Sequence, residues 1–547
     1  MAVTANGLDR ALAAIRNANL RYPDEELLVC FLQDSIDPAA AACYMLQRCS
    51  VGRDGVDLTP LLSDWKKLIA SFTYEVPPYR KPNRAVVAGI QNRDGGKCCI
   101  TGLKSSLFDP LVVVPILPML KPIQKSLHEL LGVFIGPEIQ QRILFHDASL
   151  HDPSNHWLVR KSATAAWTQG WFQFTFSSGT KYCVTTLIIG GPALPSIVDK
   201  TPPVRFGCFA DHSASNMDTP NVFLLQVLSR FAKPMRWTLV AREIAAKQPQ
   251  PQPRRAIKMP SSLLSHLLLE YAAVSITTVW CLVPTTFRIQ VYRCLEFLGV
   301  HLYGSSCSLK VQRLPFGMYL KTARAENHEA LANEYGALQL VRRHTHIPAP
   351  RPLDLVSNAR TSYLLTSRVP GLLLGACIDT LSDDEVNTLV CDLQSCLGQL
   401  RAIAKEVAPQ YAITNALGKP CYDYRIIAGV VYDEERGDFA GPFVDEEEFN
   451  KTLQMGALPG VSHRSGHKIV FTHADLNMRN VLMQNGRLSG IVDWENSGWF
   501  PEYWDYTKAH FTTKLKKRWL GIVDEVFKQF GDFESELAIE RQFWEYC

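Results

Sequence analysis

Phe471-Thr472-His473-Ala474-Asp475-Leu476-Asn477-Met478-Arg479-Asn480-Val481-Leu482-Met483 is the stretch on which the reading of the C-terminal half turns. It carries His473, Asp475 and Asn480 in the spacing H-x-D-x-x-x-x-N. A short turn, Gln484 to Leu488, follows, and then an apolar run that ends in an acid, Ile491-Val492-Asp493. Apolar runs on either side of an Asn-Gly turn predict a β-hairpin. Two short strands, each with a carboxylate at one end, aim both acids and one amide at the same point. Phosphoryl transfer needs that set. One carboxylate orients the attacking hydroxyl, and an amide and a second carboxylate hold Mg²⁺ on the nucleotide phosphates. Asp475 is therefore the expected catalytic base, with His473 beside it in the catalytic loop, more as a brace than as a chemical participant. Asn480 and Asp493 are the expected metal ligands, because Mg²⁺ keeps several waters and takes few protein oxygens. Turn chemistry alone also gathers Asp, Asn and Gly. The flanking strands and the acid at the end of the second one favour a site.

With Gly490-Ile491-Val492-Asp493-Trp494-Glu495 and Trp499-Phe500-Pro501-Glu502-Tyr503-Trp504, this stretch resembles the aminoglycoside phosphotransferase family, a branch of the protein-kinase-like fold. The resemblance extends upstream over roughly residues 295 to 547. Arg313 to Lys321 resembles the family's small-lobe strand with its phosphate-pairing lysine. Thr345 to Pro350 resembles a familiar junction, and Ser362 to Gly371 the strand, hinge and turn between lobes. The resemblance implies a bilobal kinase-like domain over 261–547, with the small lobe to about 370 and the large lobe over 371–547. It also implies ATP and Mg²⁺ as cofactors and a small-molecule hydroxyl as acceptor. Lys321 would hold phosphates from an alternating strand, as a point charge on a flexible stem. Glu334 would brace it from a helix, with Glu329 and Glu326 competing for that place. Ahead of Lys321 there is no G-x-G-x-x-G; the turn reads Tyr303-Gly304-Ser305-Ser306-Cys307-Ser308, so Ser305 and Ser306 are the expected phosphate-capping groups. Ala474 stands where protein kinases carry Arg, so no phosphorylated activation loop is expected to dock there. Arg479 is a further phosphate contact or a surface residue. Inside the large lobe, Ser382 to Glu385 has the form of a capping box. The acids Asp445 to Glu448 either attract a cationic acceptor or simply start a helix.

The chain has 547 residues, 57 basic and 53 acidic, for a net charge of +4; this balance gives no reason to expect specific nucleic-acid binding. Its length asks for two or more domains, and the expected class is α+β and multidomain. Fifteen scattered cysteines without a C-x-x-C pair, and an N-terminus lacking a charged-then-apolar pattern, lead to the expectation of a reduced, cytoplasmic setting. Leu263 to Pro284 is apolar but interrupted by His266 and Glu270, which favours a buried or amphipathic helix over a membrane span.

Residues 1–80 read as helical, with Asp37 capping a helix that starts at Pro38 and a further helix over Leu61 to Phe72. Residues 81–245 carry Arg93-Asp94-Gly95-Gly96-Lys97-Cys98-Cys99-Ile100-Thr101-Gly102, Asp109 to Pro118, and Asn155-His156-Trp157-Leu158-Val159. These parts resemble the HNH endonuclease family and its ββα-metal core. The family's general-base histidine falls at Pro115 and its later ligand histidine at Thr164, while Asn155 keeps its type. A metal hydrolase without base or imidazole ligand should not cut phosphodiesters, so the resemblance implies a degenerate scaffold. His146, His151 and His156 sit in one polar loop and are expected to face solvent or cap turns. Residues 246–260, rich in Pro and Gln, read as an extended linker. A helix over about 261–300, with Arg288, Tyr292 and Leu295 toward the small lobe, follows. The leading expectation is a phosphotransferase; the competing one is an inactive binding or scaffold protein.

Overall fold

The computed structural model describes residues 2–18, 20–52, 55–72, 83–116, 123–144, 152–189, 197, 201–213, 216–247, 280, 282–304, 310–427, 437–454, 458, 460–513 and 516–544. The Pro/Gln-rich segment, His146, His151, Ser305, Ser306 and most of the apolar run from Leu263 fall outside them. The chain divides into two compact units, Met1–Pro249 and Gln250–Cys547. Among the described residues no helix is long and apolar enough to cross a membrane.

In the N-terminal unit local chemistry starts the helices as expected. The Asp37 carboxylate accepts from the backbone NH groups of Ala39 and Ala40, and Pro38 opens the helix Pro38–Arg48. A small hairpin, Ser50–Gly52 with Gly55–Asp57, interrupts the helical run before helix Thr59–Phe72. Trp65 on that helix is fully buried, and its indole NH donates to the Leu27 carbonyl at 2.9 Å. Its ring lies 5.3 Å from Phe31, 4.7 Å from Phe134 and 6.0 Å from Phe231. Residues 1–80 and 81–245 thus share one apolar core, because the helices bury their stripes against residues far along the chain.

Within that core, strand Leu111–Pro115 pairs antiparallel with His156–Arg160, and helix Lys161–Thr168 follows. Arg93 is fully buried. It pairs with Asp94 at 2.7 Å and donates to the carbonyls of Pro153, His156 and Asp218. The Asp94 carboxylate also receives the Leu158 NH, so this dipeptide pins the turn to the strand. The Cys98 sulfur accepts from the NH groups of Thr101 and Arg160. His156 meets the capping half of the sequence expectation and not the solvent-facing half. It is fully buried at the start of its strand, with Nδ1 on the Asp152 carbonyl at 2.8 Å. Thr164 turns its hydroxyl back onto the Arg160 carbonyl of its own helix. Among the described residues, the one cluster of three side chains spaced for a metal is Glu334, Asp493 and Glu495, in the other unit.

In the C-terminal unit helix Thr285–Tyr303 packs against a four-stranded antiparallel sheet ordered 352–357, 361–367, 318–324, 311–314. Arg288 and Tyr292 both bind Asp354, at 2.6 and 2.5 Å, and fix helix to sheet. On strand Met318–Arg324 the alternation holds. Leu320 enters the lobe's core and Lys321 takes the opposite face. Helix His328–His344 packs across the sheet and carries Glu334. The second lobe is built on helices Asp383–Arg401, Trp504–Thr512, Lys517–Phe527 and Glu534–Phe543, with two three-stranded sheets. Ser382 and Glu385 close the expected capping box. Trp494, Trp499, Trp504 and Trp519 are buried in this lobe's core. The lobes are stitched where Pro348 accepts from the Ile491 NH, and where the Asn333 amide donates to the carbonyls of Glu495 and Ser497 while its oxygen accepts from the Ala416 NH.

Candidate active site

The predicted hairpin forms from strands Val481–Gln484 and Arg487–Ile491, and the strand Ile469–Thr472 leads into its loop. The loop holds its shape against backbone preference: Ala474 and Asp493 adopt φ of +61° and +68°, a left-handed region that side chains with a Cβ rarely enter. Asp505, buried on helix Trp504–Thr512, supports it by accepting from the NH groups of Ala474 at 2.7 Å and His473 at 3.4 Å. The sequence reading missed Asp505, whose partners are backbone groups far away in the chain.

His473 is fully buried and burial pushes its pKa down, so the neutral ring is favoured. Its Nε2 donates to the Val492 carbonyl at 3.0 Å, and its Nδ1 accepts from the Asp475 NH at 3.3 Å. Both nitrogens face backbone. His473 thus links the Asp475 NH to the carbonyl of Val492, the residue before Asp493.

Asp475 is caught between two amides. Asn477 donates to Oδ1 at 3.0 Å and Asn480 to Oδ2 at 2.9 Å. Burial is the largest influence on its carboxyl and raises its pKa to about 6; Lys508 pulls it down, and Asp493 and Asp423 push it up. Asn480 uses its NH₂ for Asp475, which keeps its carbonyl oxygen out of those bonds.

Lys321 stands between three carboxylates, 2.8 Å from Glu334, 2.5 Å from Asp493 and 2.8 Å from Glu495. Burial alone would lower its pKa; the three acids outweigh it and hold the ammonium well above its usual range. Burial drives Glu334 the other way, up to about 7, against the pull of Lys321. Of the three acids weighed as the brace, Glu334 makes the contact. Glu329 pairs with Lys419 at 2.8 Å and Glu326 lies 3.8 Å from Arg324. Glu495 was not foreseen, although it lies only two residues beyond Asp493. Arg479 is exposed. The acids at 445–448 serve the fold: Asp445 caps helix Glu446–Leu453, and Glu446 is buried against the NH groups of Gly466 and His467.

Beside Asp475 opens a cavity of about 440 Å³ lined by Tyr422, Tyr424, Ile427, Asp438, Asp475, Glu495 and Asn496. It has room for a small polar molecule. Glu495, which lines this cavity with Asp475, is also a partner of Lys321, so the cavity adjoins the cluster of Lys321, Glu334 and Asp493. Three carboxylates meet there with one ammonium between them, a local excess of negative charge that suits a divalent cation.

No curated protein matches this chain. Among solved structures it is similar to the aminoglycoside phosphotransferase APH(3'')-Id from Streptomyces rimosus, at 19% identity over 43% of this chain and 87% of that one, with a TM-score of 0.30. It is also similar to an APH(2'')-IIIa in complex with GDP and kanamycin, at 16% identity over 47% and 89%, with a TM-score of 0.33. An aminoglycoside 3'-phosphotransferase of type VIII matches at 18% identity over 44% and 91%, with a TM-score of 0.32. A family model described as the phosphotransferase enzyme family matches residues 311–532, the span that runs from the strand ahead of Lys321 past helix Lys517–Phe527. The C-terminal unit of this chain thus contains an APH phosphotransferase family domain.

Proposed function

We propose that the C-terminal unit transfers the γ-phosphoryl group of Mg²⁺-ATP to a hydroxyl of a small molecule seated in the cavity beside Asp475. The observation that carries this reading is Lys321, paired with Glu334 at 2.8 Å, Asp493 at 2.5 Å and Glu495 at 2.8 Å, where Glu495 also lines the cavity beside Asp475, itself bound by Asn480. When bound, Mg²⁺ would neutralise phosphate charge, and the oxygens of Asn480 and Asp493 would hold it. Asp475 orients the acceptor hydroxyl and takes up its proton as the oxygen bonds to phosphorus. Its pKa of about 6 leaves it a carboxylate at neutral pH. The bridging oxygen of the leaving ADP keeps the electron pair of the broken bond. Lys321 exchanges carboxylate partners for phosphate oxygens while Glu334 retains it. Positioning and charge carry the rate, with little covalent work for the protein.

The test uses purified full-length chain, ATP consumption with a panel of sugars and amino alcohols, and nucleotide titration with and without Mg²⁺. Asp475→Ala should abolish transfer and leave Mg²⁺-dependent nucleotide binding intact. Normal turnover in that variant removes Asp475 from the mechanism. The inactive-scaffold reading rests on the single-glycine turn at Gly304, and nucleotide binding that ignores Mg²⁺ would favour it.

For the N-terminal unit we infer a degenerate HNH-like scaffold. Its strand–strand–helix order and the Pro115 opposite His156 in register support this reading. Mg²⁺-dependent plasmid nicking would overturn it.

A further inference from the structure

Glu495 has two neighbours of different kinds. Its carboxylate lies 2.8 Å from the Lys321 ammonium, and the same residue lines the cavity beside Asp475 together with Tyr422, Tyr424 and Asp438. Of the three acids on Lys321 it is the one that does so. The other two hold the lysine more firmly: Nζ donates hydrogen bonds to Glu334 at 2.8 Å and to Asp493 at 2.5 Å, whereas Glu495 meets it as an ion pair. The main chain at Glu495 is well anchored. Its carbonyl accepts from the Asn333 amide at 2.8 Å, and the preceding Trp494 is fully buried with its indole NH on the Ile491 carbonyl. The backbone is thus fixed, while a side chain with three rotatable bonds stands between the lysine and the cavity. An ammonium has three donors. With Nζ only 10% exposed, phosphate oxygens that reach it must compete with the carboxylates around it.

We propose that Glu495 is a positioning residue that couples the two substrates: it competes with nucleotide phosphate for Lys321, and a donor group of the acceptor, binding Glu495 from the cavity, draws it off the ammonium. This rests on the reading of Lys321 as the phosphate-holding lysine and of the cavity as the acceptor's seat. Glu334 and Asp493 keep their hydrogen bonds to the lysine through the exchange, so the ammonium stays in place while one of its three partners changes. The group that takes Glu495 is a hydroxyl or an ammonium, since a carboxylate accepts and does not donate. Linkage makes the effect reciprocal. Acceptor raises nucleotide affinity, and nucleotide raises acceptor affinity by the same factor. Lys321 is then fully offered to phosphate when a hydroxyl other than water's is in place, which limits idle hydrolysis.

The first experiment needs no acceptor. Full-length protein is titrated calorimetrically with Mg²⁺-ADP and with adenosine. Glu495→Gln keeps the side chain's size and removes its charge from Lys321. It should tighten ADP by about fivefold or more, the lower end of ordinary coupling between sites. Adenosine, which has no phosphate, should bind wild type and variant equally, and so reports that the variant's nucleotide pocket is intact. Asp438→Asn removes a carboxylate that lines the cavity but is not one of the three on Lys321, and it should tighten ADP by less. Equal tightening in both variants marks general loss of negative charge and overturns the proposal. Unchanged ADP affinity in Glu495→Gln overturns it too, and weaker binding would place Glu495 among the metal ligands instead. ADP bound equally by wild type and Glu495→Gln removes the coupling and leaves the phosphate role of Lys321 standing; ADP bound by neither removes that role and the coupling with it. With any hydroxyl compound that supports turnover, a saturating amount should tighten ADP for wild type and not for Glu495→Gln. The same gain in both would refute the acceptor's part in the exchange.

Discussion

Replacing Lys321 by methionine isolates the electrostatics of the cleft. The substitution keeps most of the side chain's bulk and removes the one cation shared by Glu334, Asp493 and Glu495, whose ligand oxygens lie within 4.8 Å of one another. Two of the three are well shielded: the Glu334 side chain is 6% exposed and Glu495 16%, against 38% for Asp493. Breaking a buried pair by removing one partner costs about 3–5 kcal/mol, because the remaining charge stays uncompensated. For a domain of this size that is a fall of roughly 10 °C in the midpoint of the C-terminal unit's unfolding. The sign with pH follows from Glu334. Its folded pKa, about 7, lies above the ordinary 4.5, so its contribution to stability is fully present at low pH and is lost as pH rises through that window. Without the ammonium the window moves higher still. The deficit of Lys321→Met relative to wild type should be full at pH 8.5 and shrink at pH 5, and millimolar Mg²⁺ should recover part of it at pH 8.5. Urea unfolding and calorimetry at both pH values, with and without Mg²⁺, measure this. A variant as stable as wild type at pH 8.5, or a deficit that widens on acidification, would refute the reasoning.

Asp505→Ala leaves the buried NH groups of His473 and Ala474 without their carboxylate. It should cost about 2–6 kcal/mol in chemical unfolding, at roughly 1–3 kcal/mol for each of the two orphaned donors. Transfer should fall at least tenfold, with a smaller change in nucleotide affinity. Asp493→Asn removes an expected metal carboxylate, so the Mg²⁺ concentration needed for half-maximal nucleotide binding should rise at least tenfold; an unchanged Mg²⁺ requirement would place the metal elsewhere.

Short-range chemistry was legible before any coordinates. Pro38 after Asp37, and Ser382 three residues before Glu385, act within a single helical turn, and both caps form as read. The alternation around Lys321 set which face of its strand it takes, because side-chain direction in a strand depends only on the backbone pleat. The hairpin with Asp475 and Asp493 at its ends was equally local. Of the three histidines in one polar loop, His156 is the one among the described residues; its Nδ1 bonds the Asp152 carbonyl at the start of the preceding turn, a capping contact, but it is buried rather than solvent-facing because the strand it opens is packed in the core.

The sequence by itself determined the hairpin, its three candidate side chains and the lysine strand, since each follows from residues within a few positions of one another. It left open which acid braces Lys321. Glu326, Glu329 and Glu334 are equivalent by composition, and only the docking of helix His328–His344 on the sheet brings Glu334 to the ammonium. Nor did it disclose Asp505. Its role arises when helix Trp504–Thr512 is pressed into the large-lobe core beneath the loop. Coulomb and hydrogen-bond energies depend on distance through space and on exclusion of water, and neither is set until distant segments pack.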